Sequence, residues 1–269
     1  MPLQWRGWCG VGLLLLAPGC SSSRSREARS DWAGDPSLTQ PPVFLTAPLG
    51  QLFTNADGFS GRVTLETRRG LGQVEVVTGE LLGRGTELLF APQGEGTVNQ
   101  RLRAAGGVFF VWNVAEHRGL VLNEALQGYA RLDNPVALSN LVAQPQPGPT
   151  ADTTLEGHPC RAEQITMTLG DSPPQTYTVW RATDLKGLPL VISSATNSVL
   201  FKLHLAKARL ERPSEDLFRP PAGFTSYDSP QAMMGELTVR RQSSRRQEGS
   251  SLPEPKPGDQ WNDHTRHPN

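Results

Sequence analysis

His158-Pro159-Cys160 is the place in this chain where a base and a nucleophile stand two residues apart. A thiol beside an imidazole is the pairing that prepares a thiolate for attack. In an extended chain that spacing, with a proline between, fixes no contact between the two side chains, so Cys160 reads as a structural cysteine. The other candidates fall short in the same way. His117, His204, His264 and His267 form no H-E-x-x-H spacing, and Cys160 has no second cysteine to share a metal. The serines of "GDSPP" and "GFSG" lack the G-x-S-x-G elbow. The glycines near residues 83–96 lack the strand-loop-helix setting of a phosphate loop and read as turn glycines. Glu66 and Glu75 could meet across strands, but a solvated strand face explains them. The residues therefore predict no catalytic centre, no metal and no cofactor.

Composition narrows the partners. Lys+Arg and Asp+Glu both number 26 in 269 residues, and a neutral chain offers no support for nucleic-acid binding. The 27 Gly and 23 Pro suit short strands joined by turns.

The N-terminus reads as an address. Arg6 precedes the apolar stretch Trp8 to Ala17, which is too short to span a bilayer and suits a signal h-region. "APGCSSS" follows, and it resembles the bacterial lipobox, in which the cysteine becomes the diacylated mature N-terminus. The alternative is an ordinary secretory signal cut near Gly19. The expected layout is a signal peptide at 1–19, a lipidated flexible tether at 20–42 with Cys20 acylated, a folded domain at 43–238 and a disordered polar tail at 239–269. With Cys9 removed and Cys20 lipidated, Cys160 is left alone, so no intramolecular disulfide supports the fold. The serine after Cys20 resembles the signal for outer-membrane sorting. The expected location is thus the bacterial envelope, anchored by lipid, with the domain facing the periplasm. Arg240, Arg241, Arg245 and Arg246 open the tail and read as solvated.

Between the ends the chain alternates with period two, the mark of half-buried antiparallel strands. Phe59, Gly61, Val63 and Leu65 share a face; so do Phe110 and Trp112, Ile165 and Met167, and Phe201 and Leu203. "EHRG" turns a hairpin at 108–122. Asn134-Pro135 predicts a short helix, Ser229-Pro230 a second one, and Ala143 to Thr154 a loop. The fold class expected is mainly β with a few short helices: a strongly curved antiparallel sheet that forms an incomplete, half-open barrel.

Three segments carry a resemblance: "LEGHPCRAEQITM", "YTVWRATDLKGLPLVI" and "RPSEDLFRPPAGF". In order and spacing they are similar to the periplasmic LolA/LolB-like proteins and the lipoproteins related to them. The likeness spans roughly 55–228. It implies helices covering the concave side of the barrel and an apolar cavity that holds acyl chains. On that basis Val63, Leu65, Phe110, Trp112, Ile165, Met167, Trp180, Phe201 and Leu203 are the expected cavity residues. The ligand would be an acyl chain or a lipoprotein. The alternative is a non-catalytic structural or protein-interaction lipoprotein with a filled core and an unnamed protein partner.

Cys20→Ser is expected to abolish incorporation of labelled palmitate and to release the protein from membranes or leave it unprocessed. Labelled palmitate on the variant would overturn the lipobox reading.

Overall fold

The computed structural model describes residues 34–46, 48–69, 72–133, 142–146, 152–168, 174–195 and 199–249. Cys20 and the segment 134–141, where the first short helix was expected, lie outside the described residues.

The alternating stretches are strands. β1 (Gly58–Arg69), β2 (Glu75–Arg84), β3 (Glu87–Pro92), β4 (Val108–Asn113), β5 (Arg118–Asn123) and β6 (Gly128–Asp133) form an antiparallel meander. β7 (Val142–Gln146), β8 (Asp152–Leu155), β9 (His158–Thr168), β10 (Gln175–Ala182), β11 (Leu188–Ala195) and β12 (Val199–Arg209) form the other half. β13 (Thr225–Tyr227) adds the only parallel pairing among the described strands, on β6. The order across the sheet is β13-β6-β5-β4-β3-β2-β1-β12-β11-β10-β9-β7, with β8 on β9. β1 pairs with β12, so the two halves join through the first and last long strands. The two ends of the order do not pair, and the sheet is a curved, open barrel.

Turn chemistry agrees with this path. Glu156 and Gly157 both have positive φ, the two-residue geometry whose twist matches flanking antiparallel strands. Gly83 lies opposite Phe59, and a Cβ there would stand 2.1 Å from the Phe59 ring. The glycine lets that ring lie flat on the neighbouring strand.

One core occupies the concave side. Its walls are the inward residues of the strands, and its filling comes from outside the sheet. The N-terminal helix α1 (Pro36–Thr39) and a 3₁₀ turn at Leu49–Phe53 contribute buried Leu38, Phe44, Leu45, Leu49, Leu52 and Phe53. Phe44 meets Phe90 edge-on with ring centres 5.2 Å apart, and Phe53 stacks on Phe59 at 5.9 Å. The Arg181 guanidinium donates to the carbonyls of Leu52 and Gly187 and pairs with Glu163, tying this plug to β9 and β10. Helix α2 (Thr97–Ala104) is fastened by buried Asn99, which donates to the Thr78 and Gln93 carbonyls. Helix α3 (Pro230–Gly249) buries Met233, Met234 and Leu237 in the same core. Its start is as expected: the Ser229 hydroxyl accepts from the Ala232 N–H, with Pro230 in the first turn. Among the described residues, no helix is long and apolar enough to cross a membrane.

Several expectations change. The folded region runs past both expected ends, since Leu38 is fully buried before residue 43 and α3 continues beyond residue 238. A tether reading rested on polarity, but three or four apolar residues are enough to seat a segment against a waiting apolar face. The expected loop at Ala143 to Thr154 contains β7 and β8. β7 is the last strand of the order, where proline removes no needed donor. β6, β13 and α2 were not anticipated; each is short and weakly patterned.

Phe44→Ala is expected to destabilise the domain by about 3–5 kcal/mol, the usual range for emptying a buried aromatic site. Denaturant unfolding checks it; a loss below about 1 kcal/mol would show that the plug is not part of the core.

Candidate functional site

Eight of the nine expected cavity residues converge. Val63 and Leu65 on β1, Phe110 and Trp112 on β4, Ile165 and Met167 on β9, and Phe201 and Leu203 on β12 all belong to the concave core. They are packed against the plug, and Trp112 is 1 % exposed. Its indole N–H has no acceptor among the described residues. An unpaired buried donor costs about 1–3 kcal/mol, so Trp112 serves this core through volume. Trp180 is half-buried and packs at the margin. Period two on β10 puts Tyr177 and Val179 on the inner face, and both are buried there, while Trp180 has the opposite parity.

An open groove of about 780 Å³ lies where the plug stops. Its floor is Tyr177 and Phe201, whose rings meet edge-to-face at 5.6 Å, while Leu200 and Arg68, paired on the opposite face of the sheet, border its edge. Val43 from the plug and Val74 before β2 stand at its mouth, 49 % and 38 % exposed. Sheet register explains the assembly. Thr67 pairs with both Glu75 and Phe201, and Arg68 with Leu200, so the ends of β1, β2 and β12 meet there. The phenol of Tyr177 donates to Gln175 at 2.7 Å, and burial pushes its pKa up.

The rim is charged. Arg101 of α2 is engaged by Glu75 at 3.2 Å and approaches Asp35 at 4.0 Å. Arg68, exposed on the same rim, has no ion-pair partner among the described residues. The groove therefore offers an apolar floor and one uncompensated cation. Of the nine expected residues, only Phe201 lines it. Tyr177 was legible from the parity of β10. Val43 and Arg101 were not, because they come from an N-terminal turn and a helix that only the tertiary fold brings to this end.

The histidine-cysteine pair does not assemble as a reactive centre. Nδ1 of His158 lies 2.8 Å from Asp184 Oδ2, which turns the ring toward the β10–β11 connection. The Cys160 thiol donates instead to the His158 carbonyl at 3.4 Å. Burial pushes the thiol pKa up, and the negative charge of Asp184 adds to that. Both effects disfavour the thiolate that attack requires. Among the described residues, no group of three or more His, Cys, Asp or Glu could hold a metal ion.

No protein-family model matches the chain, and no curated protein matches it. Solved structures do. MucB is 13 % identical over 64 % of this chain and 61 % of its own, with a TM-score of 0.38. This chain thus spans under two thirds of MucB. A LolA superfamily protein from Nitrosomonas europaea is 10 % identical over 63 % of this chain and 96 % of its own, with a TM-score of 0.34. A DUF1329 family protein from Desulfovibrio piger is 10 % identical over 63 % and 92 %, with a TM-score of 0.26.

Cys160 is expected to resist a bulky thiol reagent in the native protein at pH 7 and to react fully once the protein is unfolded. Native modification at the rate of a free exposed thiol would overturn its burial.

Proposed function

We propose that this chain is a lipid-anchored protein of the bacterial envelope that binds an acyl chain, free or carried by a lipoprotein, without catalysing a reaction. The observation that carries the reading is the groove at the end of the concave face. Its 780 Å³ falls in the range of small-molecule sites, roughly 300–1,000 Å³. Its floor of Tyr177 and Phe201, with Leu200 at the bordering sheet edge, suits a hydrocarbon chain. Arg68 stands where a carboxylate or phosphate head would emerge. The lipobox-like Cys20 supports an anchor in the same membrane that supplies such ligands.

A second reading is favoured by the packed interior. Plug residues Phe44, Leu45 and Phe53 already occupy the concave side, so the core is filled, as a structural or protein-interaction lipoprotein would have it.

The test uses the full chain carrying Cys20→Ser and a naturally fluorescent fatty acid. Saturable binding in the micromolar range is expected. Leu200→Asp and Arg68→Glu, both at positions outside the buried core, should each weaken it by about tenfold or more, near 1.4 kcal/mol. No binding below about 100 μM, or equal binding by both variants, would remove the acyl-chain reading.

A further inference from the structure

The outward face of β3 to β6 does not look like a solvent face. An antiparallel sheet packed on one side normally turns polar residues to water on the other. Here Leu89, Val111 and Leu122 form a second apolar cluster on that face, separate from the concave core. The segment after β12 runs across it. Of residues 210–224 only Phe218 is buried, pressed into this cluster, and Arg219 beside it pairs with Glu87. The chain's own strap thus covers part of the face with a 3₁₀ turn at Glu215–Phe218, the apolar side chains Phe218 and Phe224, and ion pairs from Arg219 to Glu87 and from Glu215 to Arg84.

Beside the strap the face is uncovered. A groove of about 440 Å³ lies there, floored by Val111, Gly119 and Leu120, with Phe218 and Arg219 of the strap on its wall. Four of its rim charges are already used: Arg118 pairs with Glu116, and Arg219 with Glu87. Two are not. Arg131 and Asp133, both exposed on β6, have no side-chain partner among the described residues. They sit two residues apart, so they project from the same face of β6 about 7 Å apart. β6 also has a free edge there. β13 pairs only with Gly128–Ala130, and among the described residues nothing pairs with β6 on that side beyond Ala130.

We propose that this groove docks an extended segment of a partner protein, one that carries an apolar anchor and two opposite charges spaced two residues apart. The charge pattern selects the occupant. In an extended peptide, residues i and i+2 share a face at the same spacing as Arg131 and Asp133, so an acid and a base in that relation neutralise both at once. Leu120 and Val111 receive the anchor, as the neighbouring cluster receives Phe218. A lipid headgroup or an acyl chain would leave Asp133 unmatched. This site is independent of the acyl-chain groove.

The test uses labelled nine-residue peptides of Val and Thr with one Phe, carrying Asp-x-Lys, Lys-x-Asp or Lys-x-Lys at the centre. Binding to the full chain with Cys20→Ser is read by fluorescence anisotropy. One of the two mixed-charge orders is expected to bind at least tenfold tighter than the other and than Lys-x-Lys. The double exchange Arg131→Asp with Asp133→Arg should reverse that order preference with the melting temperature unchanged. Leu120→Lys should abolish binding of every peptide. No peptide binding below about 1 mM, or an order preference the exchange leaves in place, overturns the proposal. So does sedimentation showing a dimer that Leu120→Lys dissolves, which would assign the face to a second copy.

Discussion

An open sheet that is apolar on its concave side has to bury that side, and β-strands alone offer no means of doing so here, because the ends of the strand order never meet. The cover comes from segments that precede and follow the sheet. Phe44 and Phe53 reach in from the N-terminal side, and Met233, Met234 and Leu237 from the C-terminal helix. Each fully buried side chain of this kind is worth about 1.5–3 kcal/mol of burial. Hydrogen bonds then fix the register of the cover. Arg181 is the central one, since it joins the Leu52 carbonyl of the plug to Glu163 on β9 and to the Gly187 carbonyl. Asn99 does the same for α2, and buried Asn123 holds the Ala105 carbonyl where α2 ends.

The groove follows from that arrangement. The plug covers most of the concave face and stops at Val43, leaving a groove above buried Tyr177 and Phe201 whose exposed apolar residues are Val43 and Val74. Because α2 is pinned to β2 by Asn99, Arg101 arrives at the same rim and is neutralised by Glu75. Arg68 has no ion-pair partner among the described residues. The groove and the core thus draw on one surface: what the plug buries contributes to folding, and what it leaves uncovered lines the groove.

The outer face obeys the same rule with less cover. Phe218 is a single anchor on a strap whose other residues are largely exposed, and it screens only part of the second cluster. Antiparallel sheets that keep apolar residues on both faces need two covers, and this one carries an extensive cover inside, open only at the groove, and a smaller one outside.

Much of the wall was legible in the sequence. Period two identified the inward faces of β1, β4, β9 and β12, because strand side chains alternate strictly and burial of one face enforces the pattern. The start of α3 was legible too, since Ser229-Pro230 satisfies a helix start locally. The filling was not. Residues 38–53 carry no periodicity long enough to register, and their burial depends on a face assembled from strands as near as β1 and β3 and as distant as β10. Trp180 shows the converse: its apolar character suggested the interior, while its parity on β10 sends it to the margin. The amino-acid sequence by itself determined the longer alternating strands, such as β1, β4, β9 and β12, and which way they face, because those depend on neighbours in the chain, while the short β6, β7, β8 and β13 depend on the pairing partners the fold supplies. Only the tertiary structure decided that the concave face is plugged, where the plug ends, and which charges remain unpaired beside the groove, because each depends on segments that meet only after the sheet has curved.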